Sequence, residues 1–136
     1  MGDQDSRAGV SYSTKAISTY CDQVHAPQES ARLSAFDAPS IHNMPEIMVG
    51  QSEAQFLSLL VRLTKAEKIV EVGTLAGYSA ISMAQSLGKV GHLWTIENEQ
   101  KHAEIARTHI EKAGLSDRIT VICADGLEGL STVISQ

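Results

Sequence analysis

Residues 69–84 read IVEVGTLAGYSAISMA: an apolar run carrying one acid, Glu71, then two glycines four apart, Gly73 and Gly77, then a stretch of small residues. The first part has the length and β-branched content of a buried strand, and the last suits a helix from about Ser79 to Leu87. Downstream, HLWTIE (92–97) repeats the strand signature. The segment from about Glu99 to Ala113 puts Ala103, Ala106, Ile110 and Ala113 on one helical face, with Gly114 as the residue that stops it. RITVICA (118–124) reads as a third strand, and DGLEGLSTVIS begins another helix. Strands that alternate with helices pair in parallel through crossovers, which predicts an open α/β sheet covered on both faces.

Upstream, residues 1–11 are polar and expected to be loose. YSTKAISTYCDQV and QESARLSAFDA read as two short helices broken around Pro27 and Pro39. At Gly50 the pattern changes: Ser52 is placed to cap a helix in which Phe56, Leu59, Leu60 and Leu63 recur at helical spacing, a face expected in the core. Residues 1–50 therefore form an N-terminal helical segment, and 51–136 the first half of a nucleotide-type α/β domain. A doubly wound fold of this kind needs about five to seven strands, and three are visible. If 69–72 is its central strand, one edge has no partner in this sequence. Either the chain is a fragment or another chain covers that edge, and a homodimer is the expected assembly.

The 136 residues are 43% hydrophobic and 20% charged, the range of a globular protein of about one domain. No apolar run approaches the ~20 residues of a membrane span, and the N-terminus lacks the apolar core of a signal peptide, so a cytoplasmic location is expected. Cys21 and Cys123 stand far apart, outside any C-x-x-C, and imply neither a disulfide framework nor a zinc ribbon. The formal charge of −5, without a cluster of Lys and Arg, argues against duplex nucleic acid as a partner.

In a dinucleotide site the first βα turn is G-x-G-x-x-G, whose second glycine lets the backbone approach a pyrophosphate. Here the middle position is Leu75, and Glu71 would set a negative charge near that anion. NAD is disfavoured. A ligand with an ammonium group and no phosphate reverses the logic, because Glu71 can meet the ammonium directly or through water, while the ligand's carboxylate faces the helix that opens at Tyr78 and Ser79. S-adenosylmethionine (SAM) fits that description. Its ribose calls for an acid at the end of the second strand, and Glu97 lies twenty residues beyond Gly77. Ala124 to Gly126, at the end of the third strand, can line the adenine edge. Asp125 is equally suited to capping the next helix, with Glu128 completing a capping box.

EVGTLAGYSAISMA, TIENEQ, EKAGLSDRITVICADGLEGL and the upstream MPEIMVGQSEAQFLSLL together resemble the divalent-metal-dependent O-methyltransferases of the catechol and caffeoyl-CoA type, over roughly residues 12–136. That resemblance implies a Rossmann-like SAM-dependent fold and methyl transfer to a hydroxyl oxygen of a small, aromatic substrate. It implies that Val49 gives backbone contacts to the methionine end of the cofactor, that Glu71, Gly73, Thr74 and Ser79 surround it, and that Tyr78 packs beside it. Glu97 would hold the ribose, and Asp125 and Gly126 would border the adenine. A divalent metal such as magnesium is expected in the intact enzyme, with its ligands and the catalytic base after the fourth and fifth strands, beyond this sequence. Two other readings stay open: a methyltransferase of the same fold acting on a hydroxylated tRNA base, and a catalytically silent cofactor-binding module.

The remaining candidates have plainer readings. Five histidines, His25, His42, His92, His102 and His109, include no i, i+4 pair, which argues against a metal site built from them. His102 and His109 share a helix with Lys101, Glu104, Arg107 and Glu111 and are expected on its solvated face. Trp94 is expected in the core. Met44 and Met48 could pack a loop or line the cofactor mouth.

Overall fold

A computed structural model describes residues 14–25 and 30–135. The expectations for residues 1–11 and for Pro27 lie outside those residues. Three parallel strands, β1 (Lys68–Val72), β2 (His92–Glu97) and β3 (Ile119–Cys123), form a sheet in the order β1-β2-β3. Around it run α1 (Lys15–His25), α2 (Ser30–Ile41), α3 (Gln51–Thr64), α4 (Tyr78–Ser86), α5 (Gln100–Lys112) and α6 (Gly126–Ile134). No helix among the described residues is long and apolar enough to cross a membrane.

The central strand β2 is covered on both sides. Leu93, from one face, is fully buried in a core with Ala80, Ile81 and Ala84 of α4, Ala106 and Ile110 of α5, and Ala35 of α2. From the other face, Ile96 meets α6 at Gly129, where an added Cβ would stand 2.4 Å from Ile96 Cγ2. Only glycine lets helix and strand approach that closely. The register sets Glu71 opposite Thr95 and Val72 opposite Ile96. Gly73 N then donates to Ile96 O (2.8 Å) and Ala124 N to Glu97 O (2.9 Å), so all three strands end at one level.

The predicted strands and the apolar face of α5 agree with the structure. Ala103, Ala106 and Ile110 are buried, and Ala113 packs against the same core. Gly114, at φ 67°, follows the end of α5, where Gly114 N donates to Glu111 O and Leu115 N to Ile110 O. That paired closure is the one a left-handed residue permits.

Four expectations are corrected. Pro39 does not break α2, which runs through it to Ile41. Near a helix end the missing N–H costs one bond, and the next turn closes through His42 N to Ala38 O and Met44 N to Pro39 O. Ser52 is not the cap of α3: Gly50 precedes the helix, and Ser52 donates from both its amide (3.0 Å) and its hydroxyl (2.5 Å) to Asp22 Oδ1 of α1. Phe56 and Leu63 are 58% and 68% exposed, and Leu59 and Leu60 are exposed too. Instead α3 packs through Ala54, Ser58 and Val61, and the Ser58 hydroxyl reaches Ser82 O of α4 at 2.9 Å. Small residues win this face because they allow the closer approach to α4. Finally, His109 is buried, its Nδ1 3.0 Å from Ser34 Oγ of α2. Burial, followed by Lys112 and His42, lowers its pKa. His102 is the second histidine off the solvated face, at the site described next.

Candidate functional site

Strand ends β1 and β2, the β1–α4 turn, the start of α5 and the segment before α3 enclose a cleft of about 430 Å³. Of the predicted site residues, Val49, Gly73, Thr74, Tyr78, Ser79 and Glu97 line it. A second hollow of about 200 Å³ shares Gly73 and Glu97 with the cleft and extends to Ala124 and Gly126 at the end of β3. The two hollows form one elongated trough across the ends of the three strands, where ligands of open α/β sheets bind. Glu71, Gly77 and Asp125 do not line either hollow: Gly77 is buried, Glu71 partly buried and Asp125 exposed.

The turn is shaped by its backbone. Gly73 (φ 92°) and Gly77 (φ 87°) take left-handed conformations, and so does Leu75 (φ 52°), which has a Cβ to accommodate. Leu75 turns its side chain to the small core of Ala38, Met44 and Ala76, and its amide points back to the sheet. There Glu97 Oε2 accepts from Leu75 N (2.8 Å) and Thr74 N (3.0 Å), and Glu97 Oε1 accepts from Glu99 N (3.0 Å). Burial pushes the Glu97 carboxyl up, but the amides of Glu99, Leu75 and Thr74, with His102 nearby, outweigh it and leave its pKa below the ordinary value. The successive amides that a dinucleotide fold offers to a pyrophosphate are here given to the protein's own carboxylate. A bound pyrophosphate would lose those donors and meet a like charge, which extends the argument against NAD.

Glu71, on β1, is partly buried and held by two hydroxyls. Its Oε1 accepts from the Ser79 hydroxyl and its Oε2 from Thr95 Oγ1 (2.6 Å). Because Thr95 spends its only proton on Glu71, the 2.6 Å contact between Thr74 Oγ1 and Thr95 Oγ1 has Thr74 as donor. Burial dominates the Glu71 carboxyl and raises its pKa, against the lowering by Ser79 and Thr95 and with a further push from Glu97. Thr74 thus joins two acids, its amide bonded to Glu97 and its hydroxyl, through Thr95, to Glu71.

The first turn of α4 opens on the cleft beside Ser79, where amides lack carbonyls four residues back and carry the positive end of the helix dipole. Gly77 precedes it, close to α5: an added Cβ would lie 3.5 Å from Ala106 Cβ. Tyr78 is buried, its ring 5.0 Å from that of Phe36 in an edge-on contact. Asp125 Oδ1 accepts from Leu127 N (2.9 Å), capping α6.

Sequence reasoning missed Asn98 and His102, both of which line the cleft. His102 sits in the first turn of α5, which folds back over the end of β2 and sets its Nδ1 3.7 Å from Glu97 Oε1. Its place two residues into the helix after Glu97 was the available signal. Met48 lines the cleft and Met44 is buried behind it, which separates the two methionines. Among the described residues, no group of three or more His, Cys, Asp or Glu side chains is gathered as a metal ion requires.

Comparison with known proteins gives the site its relatives. The chain is 34% identical over 122 residues to a catechol O-methyltransferase of Niastella koreensis and 32% identical over 117 residues to one of Mycobacterium tuberculosis. These alignments cover 90% and 86% of this chain and 55% and 53% of the relatives, so the chain spans about half the length of the curated relatives it matches. Among solved structures, the O-methyltransferase of Bacillus cereus in complex with SAH superposes with a TM-score of 0.84 at 36% identity, covering 89% of this chain and 55% of that one. An O-methyltransferase of Streptomyces achromogenes in complex with SAM gives 0.82 at 31% identity, covering 86% and 52%. A family model described as O-methyltransferase matches residues 24–136, and with the Rossmann-like sheet and its glycine turn this establishes that the chain belongs to the O-methyltransferase family.

Proposed function

We propose that the trough binds S-adenosylmethionine and that the chain forms the cofactor-binding part of an enzyme that methylates a hydroxyl oxygen of a small, aromatic substrate. The observation that carries this reading is the bonding of Glu97 to the amides of Thr74 and Leu75. It leaves a turn poor in anion donors and rich in carboxylate, suited to a ligand with cationic groups and a ribose. SAM bound there would supply a methyl group on a sulfonium for transfer to the acceptor oxygen.

This chain's residues contribute binding and orientation. Glu97 accepts from the ribose, the positive end of α4 faces the amino-acid carboxylate, and Ser79 and the Val49 backbone border the methionine end. Glu71 fixes Ser79 and Thr95 and supplies negative charge toward the ammonium. Gly73 and Thr74 set the width of the turn, Gly77 its close packing on α5, and Tyr78 the floor. Gly126, with the Asp125 backbone, borders the adenine hollow. The donor set of the divalent metal that the resemblance implies is not assembled by the described residues. A homodimer is part of the proposal, supported by apolar side chains exposed on α1 (Ile17, Tyr20, Val24) and α3. So is cytoplasmic residence, in keeping with two free cysteines.

Calorimetric titration with S-adenosylhomocysteine (SAH) tests the reading. The wild type should bind, and Glu97→Ala should bind about tenfold or more weakly, the loss expected for a hydrogen bond to a charged acceptor. Equal binding by both would remove the ribose role, and displacement of SAH by NADH would favour a dinucleotide site. Turnover of a catechol with magnesium distinguishes an active enzyme from a silent cofactor-binding module.

A further inference from the structure

The amides that open α3 have no carbonyl one turn back, and carboxylates reach them from two directions. Glu53 Oε2, from inside the helix, accepts from Gly50 N (2.6 Å). Asp22, from α1, accepts with the single oxygen Oδ1 from both the amide (3.0 Å) and the hydroxyl (2.5 Å) of Ser52. Asp22 is also where α1 holds on. Over residues 15–24, only Cys21 and Asp22 are partly covered, and the large apolar residues Ile17, Tyr20 and Val24 are at least half exposed. An open hollow of about 520 Å³, lined from α1 by Ile17 and Cys21 and from the other side by Gly50 and Glu53, lies between the two helices. The joint is therefore carried by a carboxylate more than by apolar burial.

The same helix start ends a wall of the cleft. Ile47, Met48 and Val49 all line the cleft and run directly into Gly50. They belong to no helix or strand, and among the described residues none of 45–49 makes a backbone–backbone hydrogen bond. Val49 leans on the main core, while Ile47 is exposed. The path of this wall is consequently set at its ends: by Met44, buried with Ala38 and Ala76, and by the first turn of α3. Asp22 anchors the second of those ends from outside.

We propose that Asp22 is a positioning residue for the cofactor: by holding the first turn of α3 it holds the 47–49 wall against the methionine end of the bound ligand. The inference rests on the reading of the trough as a SAM site whose methionine end Val49 borders. It gives α1 a part in binding although none of its described residues lines the cleft. The adenine end of the trough, built from Gly73, Glu97, Ala124 and Gly126, shares no residue with that wall, so the effect of Asp22 is confined to one end of the ligand.

The test compares wild type, Asp22→Ala and Asp22→Asn in titrations with SAH and with adenosine, which lacks the methionine end. Alanine removes the acceptor, and asparagine keeps an Oδ1 for Ser52. Asp22→Ala should weaken SAH about 3- to 10-fold, within the worth of a lost helix cap, and bind adenosine within about twofold of wild type. Asp22→Asn should restore most of the SAH affinity, to within about threefold of wild type. An undiminished affinity of Asp22→Ala for SAH overturns the inference. So does an equal loss for both ligands, the mark of a general loss of stability, and so does an asparagine variant as weak as the alanine one. If the wild type binds neither SAH nor adenosine, the reading of the trough falls and the inference with it; if it binds both and only the Asp22 pattern fails, the reading stands alone.

Discussion

Glu97 Oε2 lies 2.8 Å from the amide nitrogen of Leu75, so a side chain at the end of β2 fills the ring of amides built by the turn after β1. Leu75 adopts φ 52°, a conformation that costs a residue with a Cβ about 1–2 kcal/mol. Charge-assisted bonds from Leu75 and Thr74, at about 1.5–3 kcal/mol each, outweigh that cost. The turn is thus held in its left-handed form by an acid twenty-two residues away.

Glu97→Gln should consequently destabilise the ligand-free protein by about 1–3 kcal/mol at neutral pH, because an NH₂ group must face an amide that had an acceptor. The folded-state pKa of Glu97 is lowered, so its stabilisation is present above the unfolded value of 4.5 and is lost as pH falls through the folded value. Urea unfolding of both proteins at pH 7 and at pH 3 checks this: the gap should narrow at the lower pH. A gap of equal size at both would show that the charge of Glu97 contributes nothing.

Glu71 behaves in the opposite sense. Its folded-state pKa is raised, chiefly by burial, so the folded protein holds that proton more tightly than the unfolded chain. Stability is then lost as pH rises from 4.5 through the folded value. Glutamine has nearly the same shape and no charge, and the hydroxyls of Ser79 and Thr95 can turn to accept from its NH₂. Glu71→Gln should therefore match or exceed the wild type in stability at pH 8, lose that advantage at pH 4, and bind SAH more weakly. Thermal unfolding across that range with a titration at pH 8 measures both effects, and a variant less stable than wild type at pH 8 would contradict the burial argument.

These two acids show how far the sequence reaches. Glu97 is legible from its distance to the glycine turn, and Glu71 from the anomaly of an acid in an apolar strand. Their partners are not: Thr95 faces Glu71 only through the register of β1 on β2, and Leu75 N faces Glu97 only because the turn is left-handed. The same limit explains α3. Periodicity shows that Phe56, Leu59, Leu60 and Leu63 share a face, but the cover goes to the face with the closer fit, that of Ala54, Ser58 and Val61. His102 escaped because its charged neighbours describe the far side of α5, whereas the first turn of a helix that follows a strand end looks back at that end.

Gly129 is the place where α6 depends on one absent side chain. An alanine Cβ there would meet Ile96 Cγ2 at 2.4 Å and Cγ1 at 2.9 Å, both close to the backbone of a buried strand and unable to swing away. Elsewhere in a helix, glycine to alanine gains about 1 kcal/mol from lost backbone freedom. Here overpacking should outweigh that gain and leave Gly129→Ala about 1–3 kcal/mol less stable. Shifting α6 would also move Gly126 against Val72 at the adenine end of the trough, so SAH should bind more weakly. Removing the obstacle tests the cause: with Ile96→Ala in the background, the same glycine substitution should become neutral or stabilising, a coupling that a double-mutant cycle in urea reads directly. Simple additivity of the two changes would mean that α6 does not rest on Ile96 through Gly129.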